Sequence, residues 1–458
     1  MKGTRIASVS GIRGWVGDGL DPAAALEFAA AYASQCEPGA IVLSHDGRLT
    51  APVFEAAVAA GIAGVGREVW KVGATATPTV GVLVRERGAA GGVQISASHN
   101  PPEYNGLKFF QPAGMVLSPE SGRGVLDRWQ RKDFAWAPFD GLGRIRELDD
   151  PDAVHLERVL GVVDVDAIRA RKFTVALDAC HGSGGRLAKV LLERLGCRAI
   201  VLGGEPDGRY DHTPEPTAKN LADFARLVPA VGAAVGFAQD PDADRLALVD
   251  EQGRYIGEEL TLALAAARRL EQATGPVVLN LSTSMTTEAL ARERGCPVIR
   301  TPVGEIHVVQ AMLANGAVIG GEGNGGVIDP RVGLVRDSFV GMALTLDLLA
   351  SGPASKPLSA WVDGLPRFAM VKDQSPLPPG LGPDAIAGLW DRIAAANQGA
   401  EADRRDGLRL TWKDRWVHVR ASNTEPIVRV IAEAAEPADA RALADRVGRQ
   451  VTGGEDRS

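Results

Sequence analysis

Short apolar runs alternate with longer amphipathic segments along most of this chain. Ala40 to Leu43 reads as a strand, and Thr50 then caps a helical stretch through Val53, Ala56, Ala57 and Ile62. Glu68 to Val72 reads as a strand, Val80 to Glu86 as a helix, and Gly92 to Ile95 as a strand again. This is the β-α-β rhythm of layered α/β domains. It returns at Phe173 to Leu177, followed by Gly182-Ser183-Gly184-Gly185 and a helical stretch from Leu187 to Leu195. A third instance is Pro276 to Leu281, then Ser282-Thr283-Ser284, a helix ending near Gly295, and a short strand from Val298 to Arg300. Three such units predict three related α/β domains, although no sequence repeat is strong enough to prove it. Ser351 to Gly380 is rich in Pro and Gly and reads as a boundary. Beyond it the pattern changes to strands at Leu408 to Trp412, Trp416 to Val419 and Ile427 to Ala432, with a helix from Pro437 to Val451. The predicted fold is α/β: three mixed α/β-layer domains (1–150, 151–252 and 253–365) and a small C-terminal α+β domain (366–458).

With 458 residues the chain exceeds what one hydrophobic core can organise. A net charge of −7 argues against general nucleic-acid affinity, and an anionic small substrate would need locally clustered arginines. Cys36, Cys180, Cys197 and Cys296 are widely spaced with no CxxC pair, so neither zinc nor a disulfide framework is indicated. Met1-Lys2-Gly3-Thr4-Arg5 lacks the apolar core of a signal peptide, and no apolar run is long enough to span a membrane. The expectation is a cytoplasmic protein with reduced thiols and neither a nucleic-acid nor a membrane partner.

Four polar segments could carry chemistry. In Ile95-Ser96-Ala97-Ser98-His99-Asn100-Pro101-Pro102, Ser98 lies on a turn after an apolar run, and Lys108 follows on the next apolar run. A serine so placed can be a covalent carrier if another group takes up charge, though most such turns are only turns. A Ser-His-Asp hydrolase is a competing reading of Ser98. His99, adjacent in sequence, is expected to point elsewhere, and no Gly-x-Ser-x-Gly elbow is present. Asp240, Asp242 and Asp244 at spacing i, i+2, i+4 follow the run Val235 to Ala238, and three hard oxygens on a turn suit Mg²⁺. An EF-hand fails because Arg245 occupies the position that needs Gly and the flanks look like strands. Gly320 to Gly326 carries Glu322 and Asn324, an acceptor and an amide suited to sugar hydroxyls. Arg420 to Pro426, with Ser422, Asn423 and Thr424, and Arg429 nearby, could wrap a phosphate. Near the start, Ser10-Gly11-Ile12-Arg13-Gly14 puts Arg13 on a glycine-flanked turn.

In this order the four segments resemble those of the α-D-phosphohexomutases, the family of phosphoglucomutase, phosphomannomutase and phosphoglucosamine mutase. The Ser98 loop is similar to the phosphoserine signature Ser-x-His-Asn-Pro. Asp240 to Arg245 resembles the magnesium loop, Glu322 to Asn324 the sugar loop, and Arg420 to Arg429 the phosphate loop. Lesser similarities are Ser10 to Gly14, Asp46-Gly47-Arg48 and Pro214 to Thr217. The loop Glu322 to Gly326, with Thr301-Pro302-Val303-Gly304 upstream, looks closer to the archaeal-type branch, which adds Thr301 and Gly304 to the substrate-binding residues. Two departures stand out: Gly326 where the sugar loop often ends in His, and Ser44-His45-Asp46 in place of the commoner Gly-Arg-Asp.

The resemblance implies four domains around a central cleft and a resting enzyme phosphorylated on Ser98. Mg²⁺ would be held by Asp240, Asp242, Asp244 and an oxygen on Ser98, with Arg245 adding positive charge. Lys108 is the implied proton-handling group, supported by His99 and Arg13. A hexose 1- or 6-phosphate would pass through a 1,6-bisphosphate, which also primes the enzyme. The sugar is glucosamine, mannose or glucose, and the chain a monomer or homodimer. Rotation of the last domain would open and close the cleft. Competing readings are a metal-dependent phosphatase with Asp240 as nucleophile and a non-catalytic sugar-phosphate sensor.

Overall fold

The structure is a computed structural model that describes residues 6–8, 11–353, 356–377, 383–421 and 427–452. In the first unit are strands β1 (Ile6–Ser8), β2 (Gly11–Trp15), β3 (Ala40–His45), β4 (Glu68–Ala74), β5 (Gly91–Ile95), β6 (Tyr104–Phe110) and β7 (Ile145–Glu147). Helices α1 (Pro22–Gln35), α2 (Ala51–Gly64), α3 (Thr77–Glu86) and α4 (Pro119–Arg131) cover them. The sheet order is β1-β2-β6-β5-β3-β4-β7, parallel at β5-β3-β4-β7 and antiparallel from β5 through β6 and β2 to β1. Ile41, Val42 and Leu43 are fully buried because helices cover both faces of the sheet. Asp21 caps α1 by accepting from the Ala24 N–H at 2.7 Å, with Pro22 in the first turn.

The second unit holds α5 (Ala153–Leu160), α6 (Val165–Arg171), β8 (Thr174–Asp178), α7 (Gly185–Arg194), β9 (Arg198–Leu202), α8 (Ala222–Ala230), β10 (Val235–Gln239) and β11 (Leu246–Asp250). The third holds α9 (Glu258–Gln272), β12 (Val277–Asn280), α10 (Met285–Glu293), β13 (Val298–Thr301), α11 (Glu305–Asn315), β14 (Ile319–Glu322), β15 (Gly326–Ile328), α12 (Ser338–Ser351) and α13 (Leu358–Asp363). Their sheets, β11-β10-β8-β9 and β13-β12-β14-β15, repeat one plan: three parallel strands and one antiparallel return strand. The fourth unit is wholly antiparallel, β16-β20-β19-β18-β17. It consists of β16 (Ala369–Pro376), α14 (Pro383–Ala396), β17 (Glu401–Asp403), β18 (Leu408–Thr411), β19 (Arg415–Ala421), β20 (Ile427–Ala434) and α15 (Pro437–Thr452).

This plan puts the four candidate segments in equivalent places. Each connects the two strands of an antiparallel pair: β5–β6, β10–β11, β14–β15 and β19–β20. The second and third units share one continuous apolar core that includes Leu177, Phe237, Leu262, Leu279 and Phe339. A separate core in the fourth unit contains Leu389, Leu410, Val430 and Leu443. The fourth unit meets the third through polar contacts, among them Lys372 Nζ with Glu259 Oε1 at 3.1 Å and the Met285 N–H donating to Glu433 Oε2 at 2.8 Å. A buried histidine ties the first three units together: His155 on α5 bonds Thr79 Oγ1 through Nδ1 and Asp337 Oδ2 through Nε2, both at 2.8 Å. No helix among the described residues is long and apolar enough to cross a membrane.

Several expectations needed correction. Thr50 precedes α2, but its hydroxyl accepts from Asn105 Nδ2 at 2.9 Å instead of capping, and Val53 faces outward. The expected glycine-flanked turn around Arg13 is strand β2, paired with β6, while Ser10 lies outside the described residues. The Pro- and Gly-rich stretch from Ser351 to Gly380 does contain the passage from the third unit to the fourth, but it also holds regular elements, α13 before that passage and β16 after it. Tertiary pairing with β20 makes β16 a strand despite its polar sequence.

Candidate active site

Ser98 stands in the β5–β6 connection with φ 51°, a left-handed conformation rare for a residue with a side chain. Ala243, between two of the aspartates, has φ 56°. Each such residue costs on the order of 1–3 kcal/mol unless its surroundings hold it, and such strain clusters at functional sites. For Ser98 the holding residue is Arg48, whose side chain is almost fully buried. One Nη donates to the carbonyls of Ser98 at 2.5 Å and Asn100 at 2.8 Å. The other donates to the carbonyls of Pro101 at 2.7 Å and Tyr104 at 3.0 Å. Arg48 Nε pairs with Asp46 Oδ2 at 3.0 Å, which also accepts from the Ser96 hydroxyl at 2.7 Å. Ser96 Oγ in turn accepts from the Ser98 N–H at 2.8 Å.

The strained serine meets the metal-type loop directly, for its hydroxyl donates to Asp240 Oδ2 at 2.8 Å. The ring of His99 is also within reach, with Nδ1 3.3 Å from Ser98 Oγ. That corrects the expectation that His99 points elsewhere. Burial, followed by the neighbouring Arg245 and Arg13 charges, pushes the His99 ring down to about 2, so it is neutral at ordinary pH. Arg13 Nη1 donates to Asn100 Oδ1 at 2.8 Å on the same loop.

Asp240, Asp242 and Asp244 are fully buried, and one oxygen of each lies within 4.8 Å of the others. Asp242 Oδ2 accepts from Thr77 Oγ1 and Lys108 Nζ, both at 2.5 Å. Asp244 Oδ2 accepts from Lys108 Nζ at 3.0 Å and from Arg336 Nη2 at 2.5 Å. The buried Oδ1 atoms of Asp242 and Asp244 have no hydrogen-bond partner among the described residues, and Arg245 Nε lies 3.7 Å from the second of them. Two oriented carboxylates, each with one oxygen fixed and one unspent, fit a hard divalent cation beside Ser98.

The charges agree. Burial and the other two carboxylates raise Asp240 well above the usual range. Burial also acts on Asp244, but Arg336, Lys108 and Arg245 outweigh it and hold that group well below. Lys108 would be lowered by burial, yet Asp242 and Asp244 keep it above its ordinary value. It is an ammonium in this arrangement, held between the two carboxylates.

Glu322 ends β14. Its Oε1 accepts from Asn280 Nδ2 at 2.8 Å and the Gly304 N–H at 3.0 Å, and Oε2 accepts from Arg336 Nη1 at 2.7 Å. Gly304 thus meets the sugar-type loop through its backbone. Thr301 bonds the carbonyl of Pro302 at 3.0 Å, and Asn324 Oδ1 accepts from the Gly326 N–H at 3.2 Å, so both are turned onto their own loops. Arg420 Nε lies 3.4 Å from Asp406 Oδ1, and Asp406 Oδ2 accepts from the Val303 N–H at 3.0 Å. Arg429 is exposed on β20 opposite Arg420. Ser422, Asn423 and Thr424 lie outside the described residues. Thr77, Asn280, Glu305 and Arg336 were not singled out from sequence. Only Arg336, next to the helix-capping Asp337, carried a visible local signal.

An α/β architecture of four units, with a strained serine beside three buried aspartates, defines a class of phosphoryl-transfer enzyme. Four family models match the chain in order: phosphoglucomutase/phosphomannomutase α/β/α domain I over residues 4–136, domain II over 153–253, domain III over 257–368, and the C-terminal domain over 378–450. The chain belongs to this family, the α-D-phosphohexomutases, whose members are isomerases. It is 37% identical over 440 residues to a probable phosphoglucosamine mutase of Methanopyrus kandleri, covering 95% of each chain. It is 35% identical over 438 residues to a phosphoglucomutase/phosphomannomutase of Thermococcus kodakarensis, covering 94% of this chain and 95% of the other. Among solved structures, a phosphoglucomutase/phosphomannomutase family protein from Burkholderia thailandensis superposes with a TM-score of 0.85 at 27% identity, covering 99% of this chain and 98% of that one.

Proposed function

We propose that this enzyme interconverts a hexose 1-phosphate and a hexose 6-phosphate through phospho-Ser98. The observation that carries this reading is the Ser98 hydroxyl, 2.8 Å from Asp240 and beside the unspent oxygens of Asp242 and Asp244. Asp240, Asp242, Asp244 and an oxygen on Ser98 would hold Mg²⁺, which when bound supplies charge neutralisation to the transferring phosphoryl group. In the first half-reaction the P–Oγ bond at Ser98 breaks, a P–O bond to the free sugar hydroxyl forms, and the proton of that hydroxyl ends on Ser98 Oγ. In the second, the P–O bond at the other sugar oxygen breaks, P–Oγ re-forms, and the Ser98 proton ends on that sugar oxygen. Between the two half-reactions the Ser98 hydroxyl would donate to Asp240 Oδ2, its partner at 2.8 Å in the unmodified chain. Lys108 and Arg245 add positive charge, while Arg48 keeps Ser98 in its left-handed turn. The bisphosphate turns over, and the other phosphate returns to Ser98. Glu322 orients the sugar, and Arg420 grips the phosphate that is not reacting. The separate core of the fourth unit supports its rotation between steps.

The substrate is glucosamine, mannose or glucose phosphate, in line with the names carried by the relatives in Methanopyrus and Thermococcus. ³¹P NMR with Mg²⁺ and a trace of glucose 1,6-bisphosphate tests this reading, with each sugar 6-phosphate in a separate tube. The expected result is conversion of a 6-phosphate resonance into a 1-phosphate resonance, fastest for the natural sugar. Accumulation of inorganic phosphate instead would make the chain a phosphatase and overturn the role of Ser98.

A further inference from the structure

Arg336 lies outside every segment that resembles the family's signatures, yet its guanidinium joins two of them. Nη2 donates to Asp244 Oδ2 at 2.5 Å, and Nη1 donates to Glu322 Oε2 at 2.7 Å. The first carboxylate belongs to the β10–β11 turn, the second to the end of β14. Glu305 holds Arg336 from a third side: its Oε1 accepts the Arg336 N–H at 2.6 Å, and its Oε2 lies 3.7 Å from Nε. Without the guanidinium, Glu322 would keep only the neutral donors Asn280 and the Gly304 N–H, and Asp244 would depend on Lys108 and Arg245.

The stem of Arg336 runs over residue 326. A Cβ built on Gly326 would fall 2.3 Å from Arg336 Cδ and 2.8 Å from Cγ, well inside contact distance. Gly326 is not among the glycines with positive φ, so what the position requires is room, not backbone freedom. The departure Gly326 and the unassigned Arg336 are therefore one feature.

Resting on the mutase reading above, we propose that Arg336 is a positioning residue that couples the sugar loop to the metal loop, and that Gly326 admits it. One fixed fork serves two carboxylates. Whatever loosens its hold on Glu322 increases its pull on Asp244, a residue proposed to hold the cation. The coupling is reciprocal, so cation binding changes how firmly Glu322 is held for the sugar.

Calorimetric Mg²⁺ titrations of the full-length, unphosphorylated protein without sugar test this. The variants are Glu322→Gln, Arg336→Met and the double variant. Glu322→Gln alone is expected to weaken Mg²⁺ binding about fivefold, at the lower end of usual coupling, and to change it less than about twofold in the Arg336→Met background. A direct field from Glu322 would act at least as strongly when Arg336 is absent. An equal or larger change in that background overturns the proposal. No change in either background overturns it too. If Arg336→Met does not fold, Gly326→Ala is used, since its Cβ displaces the arginine stem. It should reduce the Glu322→Gln effect by about half or more, and an undiminished effect counts against the coupling. A parent protein that binds no Mg²⁺ at all instead overturns the metal reading of the site.

Discussion

The Ser98 hydroxyl donates to Asp240 Oδ2 at 2.8 Å across 142 residues of sequence. Ser98→Ala keeps the turn but removes the phosphoryl carrier. Turnover followed by ³¹P NMR should fall almost to nothing. Activity within about tenfold of the parent would exclude Ser98 as carrier.

Asp242 presents one oxygen to Thr77 and Lys108 and leaves the other without a hydrogen-bond partner among the described residues. Asp242→Asn retains the shape and removes the charge. The Mg²⁺ concentration for half-maximal activity should rise by about tenfold or more, with turnover falling as well. A superimposable magnesium titration would remove Asp242 from the metal site.

Arg48 should matter through stability before chemistry. Arg48→Met leaves Asp46 buried without its counter-charge and four loop carbonyls without their guanidinium donors. Urea unfolding should show a loss of about 3–5 kcal/mol. Arg48→Lys should recover only a minor part, because an ammonium cannot reproduce the fork. Full recovery by lysine would show that charge alone suffices.

Arg420→Ala should raise KM about tenfold with a smaller change in kcat, since a non-reacting phosphate is held equally in ground and transition states. An unaltered KM would contradict the phosphate-gripping role.

Burial pushes the Glu305 carboxyl up to about 7, against the pull of Arg336. Its folded value therefore lies above its unfolded one, near 4.3. The stability it contributes is fully present below the unfolded value and is lost as pH rises through about 7. Thermal denaturation should show stability declining between these values, by on the order of 3 kcal/mol from this group. Glu305→Gln, which still accepts from the Arg336 N–H, should flatten that decline. An identical pH profile in the variant would assign the decline to other groups.

The α/β rhythm was readable because buried parallel strands are continuous apolar runs, as at Ile41 to Leu43 and Val175 to Leu177. β16 and β17 were not readable, since their residues are polar and become strands only by pairing with β20 and β18. Local sequence also determined the Ser98 turn and the spacing of Asp240, Asp242 and Asp244, for those residues are neighbours in the chain. It could not determine that Arg48 would be spent on four carbonyls, that His99 would approach Ser98, or that Arg336 would join Asp244 to Glu322 through space left by Gly326. Those relations depend on distances between loops of different sheets, and only the packing of the sheets sets such distances.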